Sequence, residues 1–186
     1  MDPPTDTIQI QNVVGSTAIG QELELKRVAV DLPRADYAPE RSPGIIYRTE
    51  APAATSLIFR SGKIVTAGAQ SEDALHASLA QVVDALRELG ITVPETPDVT
   101  VQNIVSNADL GQPLHLNAIA IGLGLENLEY EPEQFPGLVY RLDDPQVVLL
   151  LFGSGKLIIT GAQTRNDIDQ ALDTVTKRLT ELGMLE

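Results

Sequence analysis

The side chains that could do covalent or acid–base chemistry are few in this 186-residue chain. There is no cysteine, which excludes disulfides, thiolate metal sites and cysteine nucleophiles. The two histidines, His76 and His115, stand near no serine motif or repeated acid, and there is no glycine-rich phosphate loop. Asp167 and Asp169 could ligate a metal, but pairing of acids with the dipole at a helix start explains them more simply. We therefore expect neither catalysis nor a cofactor.

The three phenylalanines are the residues whose placement points to a specific function, because the chain has no tryptophan. Phe59 and Phe152 each stand just before an x-Ser-Gly turn, and Phe135 stands just before a Pro-Gly pair. A phenylalanine near a strand end more often fills a core. Here the repeated placement beside turns favours a role in binding.

The charge of the chain at first argues against a nucleic-acid partner. Lys and Arg number 13 against 26 Asp and Glu, giving a net charge of −13, and phosphate binding normally rests on Lys and Arg. The acids are spread over both halves of the chain rather than gathered in a tail. Such a coat is typical of a protein in concentrated salt, where self-repulsion is screened, although an ordinary acidic protein is the alternative.

No apolar run approaches the length of a membrane span, and the N-terminus lacks the basic start and apolar stretch of a signal peptide. We therefore expect a cytoplasmic protein with no membrane partner.

An internal duplication organises the chain. Ile-Gln-Asn-Val-Val at 10–14 returns 91 residues later as Val-Gln-Asn-Ile-Val at 101–105. The stretch at 37–48 returns 93 residues later at 130–141, and Leu-Ile-Phe-Arg-Ser-Gly-Lys at 57–63 returns as Leu-Leu-Phe-Gly-Ser-Gly-Lys at 150–156. Two copies of this length exclude a solenoid or propeller of many short repeats.

Each copy ends in an amphipathic helix. Apolar residues recur at helical spacing, Ser71 and Thr164 are placed to cap the helix starts, and Gly90 and Gly183 are placed to end them. A shorter helix precedes it in each copy. The apolar positions are Leu75, Leu79, Val82, Leu86 and Leu89 with Ile168, Leu172, Val175, Leu179 and Leu182, and for the short helices Leu25, Val28, Ala29 and Leu32 with Leu116, Ile119, Ala120 and Leu123.

Strand-like runs broken by Pro-Gly and Ser-Gly turns fill the space between the helices, so each copy is predicted to be β-α-β-β-β-β-α. The fold class is therefore α+β, with an antiparallel sheet of ten strands. We expect an N-terminal tail at 1–7, a first repeat at 8–93, a linker at 94–98 and a second repeat at 99–186.

The predicted sheet has more apolar surface than its helices can cover. Residues 147–152 and 157–159 are apolar at both odd and even positions, whereas a half-covered antiparallel sheet should alternate. A large exposed apolar face on a globular protein indicates a binding surface.

These duplicated blocks resemble the TATA-box-binding protein family, and the resemblance extends from about Ile8 to Leu182. It implies a two-repeat saddle with four helices on the convex face. It also implies a general transcription initiation factor that binds and kinks the minor groove of A·T-rich double-stranded promoter DNA, and that recruits transcription factor B and, indirectly, RNA polymerase.

The resemblance also assigns roles to single residues. Phe59, Phe135 and Phe152 match three of the family's four wedging phenylalanines, but Ser42 stands where the fourth is expected, and Ala67 replaces a threonine. The minor-groove floor would be formed by Asn12, Val14, Leu57, Val65, Asn103, Val105, Leu150 and Thr160.

Phosphate contacts are implied at repeated cations and turn serines, although Ala53, Gln70, Gln146 and Gln163 replace basic residues common in the family. The contacts retained are Arg41, Arg48, Ser61, Lys63, Arg141, Ser154 and Lys156. The acidic loop with Tyr130, Glu131 and Glu133 matches the part of the family that docks transcription factor B, and a solvated turn is the alternative. Because Ser42 and Ala67 depart from the pattern, a saddle that serves as a protein-interaction module with weakened DNA binding also remains open.

Overall fold

The computed structural model describes residues 3–186, and its elements follow the duplication. No helix in this range is long and apolar enough to cross a membrane. After a short 3₁₀ turn at Thr5–Thr7, the first copy contains β1 (Gln9–Ala18), α1 (Leu25–Asp31), β2 (Gly44–Glu50), β3 (Ala53–Phe59), β4 (Lys63–Ala69) and α2 (Glu72–Glu88). The second contains β5 (Thr100–Asp109), α3 (Leu116–Leu123), β6 (Leu128–Glu129), β7 (Leu138–Asp143), β8 (Gln146–Leu151), β9 (Lys156–Ala162) and α4 (Arg165–Glu181).

The described residues form nine strands, so the prediction of ten is wrong by one. The second copy has the predicted order, but the first lacks the counterpart of β6. There Asp36 makes only an isolated bridge to Ile46, whereas β6 pairs through both Leu128 and Glu129. Arg34, two residues before the bridge, has a φ of 63°, so the chain turns where a strand would have to continue.

The chain divides into two compact units. The first unit is Asn12–Gln102, with strand order β2-β3-β4-β1, and the second unit joins Asn103–Glu186 to the residues up to Gln11, with order β5-β9-β8-β7-β6. Thr7 Oγ1 accepts the Asp109 N–H at 3.0 Å in the second unit, and Thr17 donates to the Asp98 carbonyl at 2.7 Å in the first. The repeat boundaries read from the sequence stay predictions, and the first two residues of the predicted tail lie outside the described range.

The long helices begin at the predicted caps. Ser71 Oγ accepts the Ala74 N–H at 3.0 Å, and Thr164 Oγ1 accepts the Asp167 N–H at 3.1 Å. Asp167 returns the bond by accepting the Thr164 N–H at 2.9 Å. The N–H of Gln163, also bonded to this carboxylate, is the main cause that lowers the pKa of Asp167 below its ordinary value. Two orphan donors of α4 are thereby satisfied.

The long helices also end as predicted. Gly90 and Gly183 have φ values of 81° and 67°, the left-handed conformation that glycine adopts without a steric cost. Beyond them, the N–H groups of Ile91 and Met184 bond back to Leu86 and Leu179 in the last helical turn.

Each long helix covers one face of its own strands. α2 packs on β2, β3 and β4, and α4 packs on β8 and β9. Under α2 the side chains of Ile45, Ile58 and Ile64 are fully buried, and under α4 Leu151 and Leu157 hold the positions of Ile58 and Ile64. Burying this apolar surface provides the main favourable free energy of folding.

The two cores differ in polarity. In the first unit Ser56 and Thr66 are fully buried and share a hydrogen bond of 2.6 Å, where the second unit has Leu149 and Ile159. In the second unit Thr176 is fully buried, and its hydroxyl has no hydrogen-bond partner among residues 3–186. Its counterpart in the first unit is Val83.

The same substitution should therefore have opposite effects in the two cores. Thr176→Val removes an unpartnered buried hydroxyl and should raise the free energy of unfolding by about 1 kcal/mol. Thr66→Val leaves Ser56 without its partner and should lower it by about 1–3 kcal/mol. Chemical unfolding of both variants in one buffer is the measurement, and equal destabilisation by both would contradict this description of the cores.

Candidate nucleic-acid interface

The first unit leaves one face of its strands open. Residues that alternate with the buried isoleucines are apolar and half-exposed, and they line up across the strands. Ile46 lies opposite Leu57, and Leu57 lies opposite Val65. Val14 joins them at a bulge in the pairing of β1 with β4. We call the set Val14, Ile46, Leu57, Phe59, Val65 and Ala67 the first open face.

The second unit repeats the arrangement, with Ile158 in place of Val65, Thr160 in place of Ala67 and Val139 in place of Ile46. Val139 lies opposite Leu150, and Leu150 lies opposite Ile158. Val148 lies opposite Thr160, in the row where the first unit has Thr55 and Ala67. We call the set Val105, Val139, Val148, Leu150, Phe152, Ile158 and Thr160 the second open face.

Four members of these faces are absent from the sequence-based prediction. Ile158 stands 93 residues after Val65, so the duplication alone could have identified it. Ile46 and Val139 required the strand register, because they belong to the faces as the partners of Leu57 and Leu150. Val148 required the register in the same way. The predicted floor residues are all half-exposed on the open side.

Asn12 and Asn103 are held in one orientation by the backbone. The Asn12 carbonyl oxygen accepts the Gly68 N–H at 2.7 Å, and that of Asn103 accepts the Gly161 N–H at 2.6 Å. Because the carbonyl oxygen is engaged, the amide NH₂ of each side chain is left to donate. In the second unit this group also donates to Thr160 Oγ1 at 3.3 Å, a bond that Ala67 cannot make in the first.

Two phenylalanines of the second unit form an edge-to-face pair, with ring centroids 5.9 Å apart and an interplanar angle of 69°. Phe135 lies in the loop before β7, and Phe152 directly follows β8. A Cβ on Gly137 would come within 2.6 Å of Phe135 and 3.0 Å of Phe152, so a side chain at this position would displace the rings from this arrangement. Phe135 is 38% exposed, a large fraction for an aromatic ring.

The first unit has no such pair in its described residues. Phe59 is half-exposed, and Ser42 occupies the place that corresponds to Phe135. The Ser42 hydroxyl donates to the carbonyl of Gly44 at 3.0 Å and so closes its own turn. The two open faces therefore end differently, one in an aromatic pair and the other in a single ring.

Comparison with known proteins identifies the family of the chain. Residues 7–89 and 98–182 match the family model described as transcription factor TFIID, or TATA-binding protein. The chain belongs to the TATA-box-binding protein family. It is 63% identical to TATA-box-binding protein E of Halobacterium salinarum over the whole of both chains, and 64% identical to TATA-box-binding protein 1 of Haloferax volcanii, covering all of this chain and 98% of that one.

A solved structure also matches the fold of this chain. The Methanococcus jannaschii TBP superposes with a TM-score of 0.85 and 46% identity, covering 94% of this chain and 98% of that one. The predicted family fold is thus confirmed, apart from the strand count. This is a family of DNA-binding transcription factors and not of enzymes.

For a member of the TATA-box-binding protein family, the Lys and Arg side chains that form no ion pair are the surface groups of interest. Six of the 13 Lys and Arg residues form ion pairs with acids of the described chain. Among the predicted phosphate contacts only Arg141 is paired, with Glu129 at 3.3 Å. The other four cations are exposed and form no ion pair within residues 3–186: Arg41, Arg48, Lys63 and Lys156.

The predicted turn serines sit in rigid turns. A Cβ on Gly62 would lie 2.2 Å from the Gln21 carbonyl, and one on Gly155 would lie 2.1 Å from the Gln112 carbonyl, so only glycine lets these turns pack. Beside the second turn, Phe152, Ser154, Lys156 and Asn107 line a cavity of about 650 Å³. Ser61 and Lys63, together with Asp98, line a counterpart of about 480 Å³ in the first unit.

The predicted partner loop leads directly into the aromatic pair. Glu131 and Glu133 are exposed, and Tyr130 is half-exposed. The carbonyl of Glu131 accepts the N–H groups of Gln134 and Phe135 at 2.9 and 3.0 Å, which closes the loop into a turn. The two carboxylates therefore project from an ordered turn next to Phe135.

Proposed function

We propose that this chain is a general transcription initiation factor that binds the minor groove of A·T-rich promoter DNA through the first and second open faces. The observation that carries the proposal is the combination of an open apolar face and a backbone-held asparagine donor in each unit. Membership of the TATA-box-binding protein family supports the same function.

The chemistry of the open faces suits the minor groove of A·T pairs. That groove presents only acceptors, adenine N3 and thymine O2, while a G·C pair adds a protruding amino donor. The amide NH₂ of Asn12, and the second N–H of the Asn103 amide that Thr160 does not engage, can donate to those acceptors. The surrounding aliphatic side chains have no acceptor for a guanine amino group, so G·C pairs would lose hydration without compensation.

We infer that the phenylalanines act as wedges between base steps. Unstacking a step costs a few kcal/mol, a figure established with this family among other minor-groove binders, and the bent duplex recovers it through additional contact. The edge-to-face pair of Phe135 and Phe152 supports a strong kink by the second unit. Phe59 acts alone in the first unit, where we expect a weaker kink.

We assign the contacts with the DNA backbone, which position the protein on the duplex, to the exposed cations and the turn serines. Arg41, Arg48, Lys63 and Lys156 form no ion pair with an acid of residues 3–186, so they are available to phosphates. Arg141 would have to exchange Glu129 for a phosphate, an exchange between exposed groups that costs little. Ser61 and Ser154 add hydroxyl donors from the turns.

We further propose that the loop with Tyr130, Glu131 and Glu133 docks transcription factor B, which in turn brings RNA polymerase to the promoter. The support is an ordered turn with two exposed carboxylates that no cation of residues 3–186 neutralises. A protein with this role acts in the cytoplasm on the nucleoid.

Asn103→Asp tests DNA readout without disturbing the fold. An aspartate oxygen can still accept the Gly161 N–H, but the donor is lost and a charge is added, so affinity for an A·T-rich duplex should fall about tenfold or more. Gel shifts at molar KCl, with and without transcription factor B, measure it.

Asn166→Asp adds the same charge at an exposed position in the first turn of α4 and is the matched control, expected to bind DNA like the unsubstituted protein. If Asn103→Asp bound equally well, the asparagine readout would be wrong. If the unsubstituted protein bound no promoter under any condition, a protein-interaction module would replace the proposed function.

Ser42→Phe tests the wedge assignment. A phenylalanine at this position would stand beside Phe59 as Phe135 stands beside Phe152, so the bend at that end of the site should increase. Energy transfer between dyes at the two ends of the duplex reports the bend. An unchanged bend would show that the difference between the two units has no consequence for DNA geometry.

A further inference from the structure

Two large apolar side chains at the end of α3 have no role in the fold. Ile121 is 84% exposed and Leu125 is 81% exposed, whereas Leu116 and Ile119 of the same helix are buried. Neither residue belongs to the second open face. Exposed apolar groups of this size in neighbouring positions favour a protein contact.

The first unit shows how this position relates to the loop that follows it. Val30, the counterpart of Ile121, is also 84% exposed, and it lines a cavity of about 360 Å³ together with Tyr37 and Pro39. Tyr37 corresponds to Tyr130 in the second unit. In the second unit two more residues separate Ile121 from Tyr130 than separate Val30 from Tyr37, and α3 contacts β6, which leads into the loop that carries Tyr130 and Glu131.

The charged residues near Ile121 differ from those near Val30. No Lys or Arg occurs between Arg87 and Arg141, and the charged residues from the start of α3 to Phe135 are all acids: Glu126, Glu129, Glu131 and Glu133. Glu129 is paired with Arg141, but Glu126, Glu131 and Glu133 form no ion pair within residues 3–186. Around Val30 acids are balanced by cations: Lys26, Arg27, Arg34 and Arg41.

We propose that Ile121 and Leu125 form the apolar half of a docking surface whose acidic half is Glu126, Glu131 and Glu133. Its occupant is a helix of transcription factor B with an apolar stripe bordered by Lys and Arg. This inference rests on the proposed function. It extends the proposed docking site for transcription factor B from the loop with Tyr130, Glu131 and Glu133 to α3.

The carboxylates and the aliphatic side chains of this surface have different roles. The carboxylates attract a basic segment and exclude an acidic one, which sets specificity and the rate of encounter. The buried aliphatic groups provide the affinity, and they do so at high salt, where exposed ion pairs are screened. Val30 offers the same apolar group without the acidic surroundings, so the first unit does not bind the helix.

The test is a titration of transcription factor B onto the preformed complex of the full chain with promoter DNA at molar KCl, read by supershift. The double variant Ile121→Ser, Leu125→Ser should weaken binding of the factor about tenfold or more. Val30→Ser is the matched control and should remain within about twofold. DNA binding without the factor should be unchanged in both variants, which shows that they fold.

The variant Glu131→Lys, Glu133→Lys separates this inference from the proposed function. If it weakens binding while the α3 double variant remains within about twofold, the α3 surface is overturned and the partner loop stands. If neither variant weakens binding, both assignments fail. Equal weakening by Val30→Ser, or loss of DNA binding by the α3 variant, would also overturn the proposal.

Discussion

Coverage of only one sheet face by the long helices is the constraint on which the rest of this molecule depends. In each unit a 17-residue helix packs on its own strands and buries every second side chain. The alternate side chains face the other way, and no helix of residues 3–186 in their own unit packs over them. They are nevertheless apolar, as in the row of Val139, Leu150 and Ile158. A surface of this kind is stable in water only at a cost, and a ligand that buries it recovers that cost.

The duplication makes the two units comparable residue by residue, and the first departs from the second in both its core and its open face. Its core contains the hydrogen-bonded pair Ser56 and Thr66 where the second has aliphatic side chains. Its open face ends in Ser42 and Phe59 in place of the aromatic pair. The second unit also gathers the acidic loop and the exposed end of α3. Under the proposed function, the second unit would therefore deform DNA more strongly and contact the partner, and the first would bind with a weaker kink.

Much of this could be predicted from the sequence, because it depends on local chemistry. The helices, the caps at Ser71 and Thr164 and the terminal glycines follow from spacing and residue type alone, and all are confirmed. The absence of the tenth strand could not be predicted, because it depends on a backbone turn at Arg34 that the repeated sequence does not indicate.

Features that depend on strand register or on long-range contacts could not be predicted from the sequence either. The membership of Ile46, Val139 and Val148 in the open faces, the engagement of Asn12 by Gly68, and the pairing of Arg141 with Glu129 each join residues distant in sequence. The roles of the site residues toward DNA stay predictions.

The acidic composition and the open apolar faces support one account of binding. In this account most of the affinity would come from apolar burial and asparagine donors, with few free cations at the phosphates, while the distributed acids would repel DNA at low salt. Salt weakens the phosphate contacts but also screens that repulsion, so the two effects offset each other. The most direct test is the affinity for an A·T-rich promoter duplex measured by anisotropy from low to molar KCl. The account predicts a plot of log affinity against log salt with a slope shallower than about −2, and a linear fall with a slope of about −6 or steeper, as for an ordinary basic protein, would contradict it.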